Sequence, residues 1–187
     1  SCTFGPSTQN SAAPYNINID LNAVPTFTNN AISFNDNEAR AIGIVGSTVV
    51  RDTELPQQSF EGIDNITYLL NGQVTIHDTA SLEIEAGIVI KTQQNNYYLY
   101  GNGVINGIGT AENPIIFTHR NDDDYGNPKD TYQDGAVTVS HSNGGRLMLY
   151  STATSRIEYW KILYAGYTSN YYAVYVNNGN VISNCEI

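Results

Sequence analysis

Basic residues are scarce. Only 8 Lys and Arg stand against 18 Asp and Glu in 187 residues, a formal charge of −10. A surface of that sign repels phosphate backbones and attracts cations, so no nucleic-acid partner is expected and acidic loops become candidate cation sites. Long apolar runs are also missing: nothing approaches the roughly 20 residues that span a bilayer, so no membrane span is expected. No basic-then-apolar segment opens the chain, so a signal for export, if one is used, has been removed or left out. There are two cysteines, Cys2 and Cys185. They could form one bridge, but Cys185 sits in Asn184-Cys185-Glu186-Ile187, where a small apolar side chain suits a core position. Cys2, next to the first residue, is a candidate lipid-anchor site, although Ser1 should then have been cleaved away. Helical patterning is absent too. The best candidate, Asn37-Glu38-Ala39-Arg40-Ala41, is one turn long.

What remains is β patterning. Charged residues make up only 14%, so much of the polar surface comes from Asn, Ser, Thr, Gln and 14 Tyr, which suits a secreted β-protein. From Asn71 onward short alternations such as Val74-Thr75-Ile76, Leu82-Glu83-Ile84 and Ile88-Val89-Ile90 are broken by Gly, Asn and Asp. Sliding the chain by 25 positions lays Leu149, Tyr150, Ile157 and Ile162 on Val174, Tyr175, Ile182 and Ile187. A second match, at 16 positions, lays Leu82 to Ile88 on Tyr98 to Val104. A hairpin sheet has no reason to return a residue class after a fixed interval, whereas a solenoid stacks equivalent positions into ladders. Residues 1–60 carry Pro6, Pro14, Pro25 and Pro56, many Asn, and pieces such as Tyr15-Asn16-Ile17-Asn18-Ile19 that match no coil. They are expected to form an N-terminal cap or docking segment, with coils over 61–187. Ile187 falls on a core position, so further coils, a protein partner or self-association is expected to cover that open coil.

Several segments carry a resemblance. Gly109-Thr110-Ala111-Glu112-Asn113-Pro114-Ile115-Ile116-Phe117-Thr118 resembles the pectate-lyase-like, right-handed β-helix repeat proteins that many bacteria secrete. Leu82 to Lys91 resembles the "LTIEPGTVIK" coil of that group. Ser155 to Tyr159 and Val181 to Ile187 resemble its "sxIeYc" and "IsNCxI" coils, so the likeness covers roughly residues 65–187. It implies an all-β, right-handed, single-stranded parallel β-helix. Two departures stand out: Gly144-Gly145-Arg146-Leu147 lacks the family's preceding Trp, and Trp160 takes a place where Cys is commoner, implying a locally wider core. Because this fold serves lyases, hydrolases and adhesins alike, it implies little about function.

Function must come from sites. The densest acidic stretch runs from Asn121 to Gly135, and Asp122, Asp123, Asp124, Asp130 and Asp134 are the expected ligands of a structural calcium ion. Hard cations take six to eight oxygens, which a Gly/Asn-rich loop can gather; the alternative is a solvated acidic loop. A lyase would need such a cation beside a base such as Arg120, Arg146 or Arg156, and nothing in the sequence places one there. For a hydrolase, Ser140-His141-Ser142 and Arg156-Ile157-Glu158 depart from the family's Gly-His-Gly and Arg-Ile-Lys signatures. His77, His119 and His141 have no second ligand at metal spacing. Asn65-Ile66-Thr67 is a glycosylation sequon. Among the many tyrosines, Tyr98, Tyr100, Tyr164, Tyr171 and Tyr175 are candidates for an outer surface meeting a protein or a carbohydrate, against the alternative that they fill the core and cover strand edges. The expectation is a non-catalytic extracellular or cell-surface module for adhesion, filament or envelope scaffolding. A polysaccharide lyase or glycoside hydrolase acting on acidic polysaccharide is the alternative.

Overall fold

The computed structural model describes residues 2–4, 17–34, 39–92, 94, 96–135, 139, 144–166 and 172–187. Its strands follow the short alternations. β1 (Thr3–Phe4), β2 (Ile17–Ile19) and β3 (Ala31–Ile32) come first, with a 3-10 turn over Leu21–Ala23 capped by the Asp20 carboxylate. Five three-strand coils follow: β4 (Ile42–Val45), β5 (Thr48–Val49) and β6 (Thr53–Leu55); β7 (Tyr68–Asn71), β8 (Val74–Ile76) and β9 (Ser81–Ile84); β10 (Val89–Thr92), β11 (Tyr98–Gly101) and β12 (Val104–Ile108); β13 (Ile115–His119), β14 (Arg146–Leu149) and β15 (Arg156–Glu158); β16 (Trp160–Ile162), β17 (Val174–Val176) and β18 (Val181–Ser183). Each coil contributes one strand to each of three parallel sheets, and β2 extends the first sheet, which runs β16-β13-β10-β7-β4-β2. This is a right-handed parallel β-helix.

Side chains alternate between the two faces of a strand, so register turns alternation into stacked inward rows. In the first sheet Ile17, Ile42, Tyr68, Ile90, Phe117 and Ile162 stack across six rungs. All six are buried. In the third sheet the row reads Leu55, Ile84, Gly107, Ile157 and Ile182. Gly107 is the gap in it, and the indole of Trp160 fills that gap. A Cβ on Gly107 would stand 2.5 Å from Trp160 Cζ2, and Trp160 Nε1 donates to Gly107 O at 2.8 Å. The expected wider core at Trp160 is thus a glycine-lined notch.

The 25-residue step holds in the third sheet, where Ile157 pairs with Ile182, and in the first, where Lys161 bridges to Glu186. It slips to 27 in the second: Leu147 pairs with Val174 and Leu149 with Val176. The 16-residue match is not a coil repeat, because Leu82 pairs with Ile105 and Leu99 with Val74. It had compared one wall with the next: both carry the same alternation followed by a glycine turn, which self-comparison cannot tell from stacking. Residues 42–55, placed in the leading segment by composition, form a complete coil, and Ile17–Ile19 pairs with β4. Asn- and Pro-rich spacers had hidden these strands. Asn37 and Glu38 lie outside the described residues, and Ala39 to Ala41 are not helical. Cys2 is exposed, Cys185 packs against the core, and both are free thiols.

Candidate functional site: an acidic loop and a tyrosine ladder

The longest connection follows β13, and its described part, 120–135, folds back over the outside of the first sheet. The outward row beneath it is Gly43, Leu69, Lys91 and Thr118. Leu69 is covered by Ala39, Ala41 and Tyr132. The loop is fastened by backbone bonds, Arg40 N to Thr131 O at 2.8 Å and Thr67 N to Asn127 O at 3.1 Å. Asn127 N donates to Thr67 Oγ1 at 2.8 Å, and Lys91 Nζ to Lys129 O at 2.6 Å.

Within this loop, carboxylate oxygens of Asp123, Asp130 and Asp134 lie within 4.8 Å of one another. Two oxygens on one calcium ion stand at most about 5 Å apart, twice the metal–oxygen distance, so this trio fits a shared hard cation. Asp130 already accepts from the amides of Asp134 (3.2 Å) and Gly135 (3.3 Å), whereas Asp123 Oδ1 is buried with no hydrogen-bond partner. Burial, then the neighbouring Asp130, push the Asp123 carboxyl above its ordinary range. Asp122 is buried and committed to Thr118 Oγ1 at 2.6 Å. Asp124 is exposed and stands outside the trio, its amide donating to Asp122 Oδ1 at 3.1 Å. Of the five expected ligands, three therefore converge.

Sequence reasoning missed Lys91. Its side chain is fully buried beneath the loop, and its ammonium is pushed down to about 8 by burial, against the attraction of Asp123, Asp122, Asp130 and Asp134. The available signal was a charged residue at an outward strand position in the coil just before the acidic insertion. One ammonium faces four carboxylates, so an excess of negative charge remains.

The three arginines do not converge, and Arg120 lies against the acidic loop through Tyr132. Arg120 lies 4.7 Å over the Tyr132 ring, Arg146 lies on the second sheet 5.4 Å over Tyr98, and Arg156 on the third sheet pairs with Glu158 at 2.5 Å. His77 lies in a turn, its Nδ1 receiving Thr79 N at 3.3 Å, His119 is buried at the end of β13, and His141 lies outside the described residues. In the sequon, Asn65 Nδ2 donates to Gly87 O at 2.9 Å and the buried Thr67 hydroxyl receives Asn127 N, so both polar side chains are engaged.

The second feature lies on the outside of the second sheet. Tyr98 and Tyr100 are outward on β11, 6.0 Å apart, with Tyr98 Oη donating to Gln73 Oε1 at 2.6 Å. Tyr100 stacks on Tyr150 with centroids 4.8 Å apart, and Tyr150 on Tyr175 at 4.3 Å, both at 15° between planes. The structure thus joins Tyr98, Tyr100 and Tyr175, and adds Tyr150, which the sequence marks only as a repeat position. Tyr164 instead sits in the turn after β16, close to Asp122 and Asp124, and Tyr171 lies outside the described residues. Outward strand positions of this sheet are Thr48, Thr75, Tyr98, Tyr100, Arg146, Met148 and Tyr175, with no carboxylate among them. The third sheet's outward positions, by contrast, include Glu54, Glu83 and Glu158. Because the stacked rings cover one another's faces, the ladder presents ring edges and hydroxyls.

Three stacked parallel sheets with an outer ladder and one long insertion define a β-helix solenoid. A family model described as a pectate-lyase-like beta helix domain matches residues 61–179, and the chain belongs to that family. No curated protein and no solved structure matches the chain. Among the described residues, no helix is long and apolar enough to cross a membrane.

Proposed function

We propose that this chain is a non-catalytic β-helix module of an extracellular or cell-surface protein, serving adhesion or scaffolding through the outer face of its second sheet. The observation that carries this reading is the ladder of Tyr98, Tyr100, Tyr150 and Tyr175. It is an outward-facing aromatic strip without carboxylates, half-buried at Tyr98, Tyr100 and Tyr175 and exposed at Tyr150, on a chain of net charge −10, so a macromolecule approaches there against little repulsion. Ring edges and hydroxyls suit a protein partner, with carbohydrate the second occupant to test. The acidic loop serves structure: its Asp trio takes a calcium ion, and together with Lys91 it clamps the insertion to the first sheet. The last rung leaves Val176 41%, Val181 40% and Ile187 65% exposed, and a protein partner or a second copy covering that face belongs to the same reading.

The polysaccharide-cleaving alternative draws on the same acidic trio. Incubating the chain with polyuronates and neutral glycans, and following both retention and new unsaturated or reducing ends, separates the two. The scaffold reading expects no turnover, and binding to an extracellular-matrix or envelope preparation that Tyr100→Ser with Tyr150→Ser weakens at least tenfold. Turnover lost on Asp123→Asn overturns it.

A further inference from the structure

We propose that Tyr150 and Tyr175 form an oxidative cross-linking site, at which hydrogen peroxide with a haem peroxidase joins the two rings into dityrosine within one molecule. Three observations carry this. The rings are the tightest stack of the ladder, 4.3 Å between centroids at 15°, about the separation that two directly bonded rings have, so coupling requires rotation more than translation. Tyr150 is 36% exposed, so an oxidant reaches it from solvent. Both residues are held by the backbone of the neighbouring rung: Tyr150, just after β14, donates its N–H to Gly101 O at 2.8 Å, and Tyr175 on β17 pairs with Met148. A radical formed on either ring therefore finds its partner already in contact, the advantage that makes an intramolecular step outrun a diffusional one.

The chemistry balances. Each phenol loses one hydrogen atom, a proton with an electron, to the oxidant. The two phenoxyl radicals join through ring carbons ortho to oxygen, and the hydrogens at those carbons move to the oxygens, restoring both phenols. One hydrogen peroxide is reduced to two waters for each carbon–carbon bond formed. The product ties the fourth coil to the fifth, where rungs of a solenoid otherwise separate independently. Nothing in this requires the ladder to bind a partner, so it stands or falls separately from the proposed function.

The test treats dilute intact chain with peroxide and a haem peroxidase, isolates the monomer, and reads dityrosine fluorescence, intact mass and tryptic peptides. The expected product is a monomer lighter by two hydrogens, whose yield per molecule does not change with protein concentration. Cleavage at Arg146, Arg156 and Lys161 should release peptide 147–156 joined through Tyr150 to Tyr175 of peptide 162–187. Tyr150→Phe and Tyr175→Phe, which keep the stacked ring, should each abolish the product. Tyr172→Phe, at the 73%-exposed Tyr172, should leave it intact. Dityrosine confined to covalent dimers, a bond to Tyr100 or Tyr172 in place of Tyr175, or undiminished yield in Tyr150→Phe overturns the proposal.

Discussion

Replacing Gly107 by alanine adds a single methyl group to the third sheet, and the structure says where it goes. The new Cβ stands 2.5, 2.7 and 2.8 Å from Trp160 Cζ2, Nε1 and Cε2. Those atoms belong to a rigid ring that is 1% exposed and tied to Gly107 O at 2.8 Å, so the ring cannot swing aside. Overpacking of this kind costs about 1–3 kcal/mol. If the indole retreats, its N–H loses Gly107 O, and a buried unpaired donor costs about 1–3 kcal/mol more. A loss of about 3 kcal/mol follows, which for a chain of this size lowers Tm by about 6–12 °C. Urea unfolding followed by far-UV circular dichroism measures it. The control is Trp160→Phe, whose ring lacks the indole Cζ2 and Nε1 atoms, and in that background Gly107→Ala should cost about 1 kcal/mol or less. An equal cost in both backgrounds, or less than about 1 kcal/mol in the parent, would refute the reasoning that the glycine exists for the indole.

Calcium at about 100 times its dissociation constant should add roughly 2.7 kcal/mol to stability, and chelation should remove it with increased proteolysis near Tyr125 to Tyr132. Asp123→Asn should raise Tm in chelator, because it removes a negative charge that burial and the neighbouring Asp130 disfavour, yet should abolish the calcium increment; a thermal melt in each condition checks both signs. Tyr159 adopts φ +54 where Asn184, one coil later, adopts φ +55. Asparagine tolerates that left-handed turn and a bulky aromatic residue does not, so Tyr159→Asn should stabilise the chain by about 1 kcal/mol in urea titration. His119 is pushed down to about 4, first by burial and then by Arg120. The unfolded chain therefore binds a proton that the folded chain refuses between about pH 6.5 and 4, and stability should fall as pH drops through that window, by at most about 3 kcal/mol. His119→Gln, read by urea titration at several pH values, should flatten that slope.

The fold was legible because stacked walls impose a period that composition cannot hide: Ile157 over Ile182 is visible in the sequence and present in the register. Coil boundaries were legible only where connections are short and even. Between β14 and β17 a two-residue difference in the connections shifts the step from 25 to 27, and no sequence feature marks where the extra residues go. The acidic loop was readable as composition but not as geometry. Nothing in the chain from Asp122 to Asp134 says that Asp122 turns to Thr118 while Asp123, Asp130 and Asp134 converge, since that depends on how the insertion lies on the first sheet. Lys91 escaped for the same reason. A lysine on an outward strand position reads as solvated until the element that buries it, 38 residues later at Lys129, is in place.

Both features of the molecule follow from one property of a solenoid, that the inward rows must be apolar and continuous while the outward rows are free to differ from wall to wall. On the first wall the outward row of Leu69, Lys91 and Thr118 is neither apolar nor fully polar, and it needs the loop: Leu69 needs cover, and Lys91 needs carboxylates. On the third wall Glu54 and Glu83 face water directly, and Glu158 pairs with Arg156. The second wall has no covering loop among the described residues and no strand carboxylate, yet it stacks Tyr100, Tyr150 and Tyr175 in close ring contact. Such stacking gains about 0.5–1.5 kcal/mol per pair beyond area burial, so the ladder stabilises the coils even when nothing is bound. Interaction and stability are therefore not exclusive roles for these rings. Tyr150→Ser should weaken both, whereas Tyr98→Phe, which removes only the hydroxyl given to Gln73, should bear mainly on the surface presented to a partner.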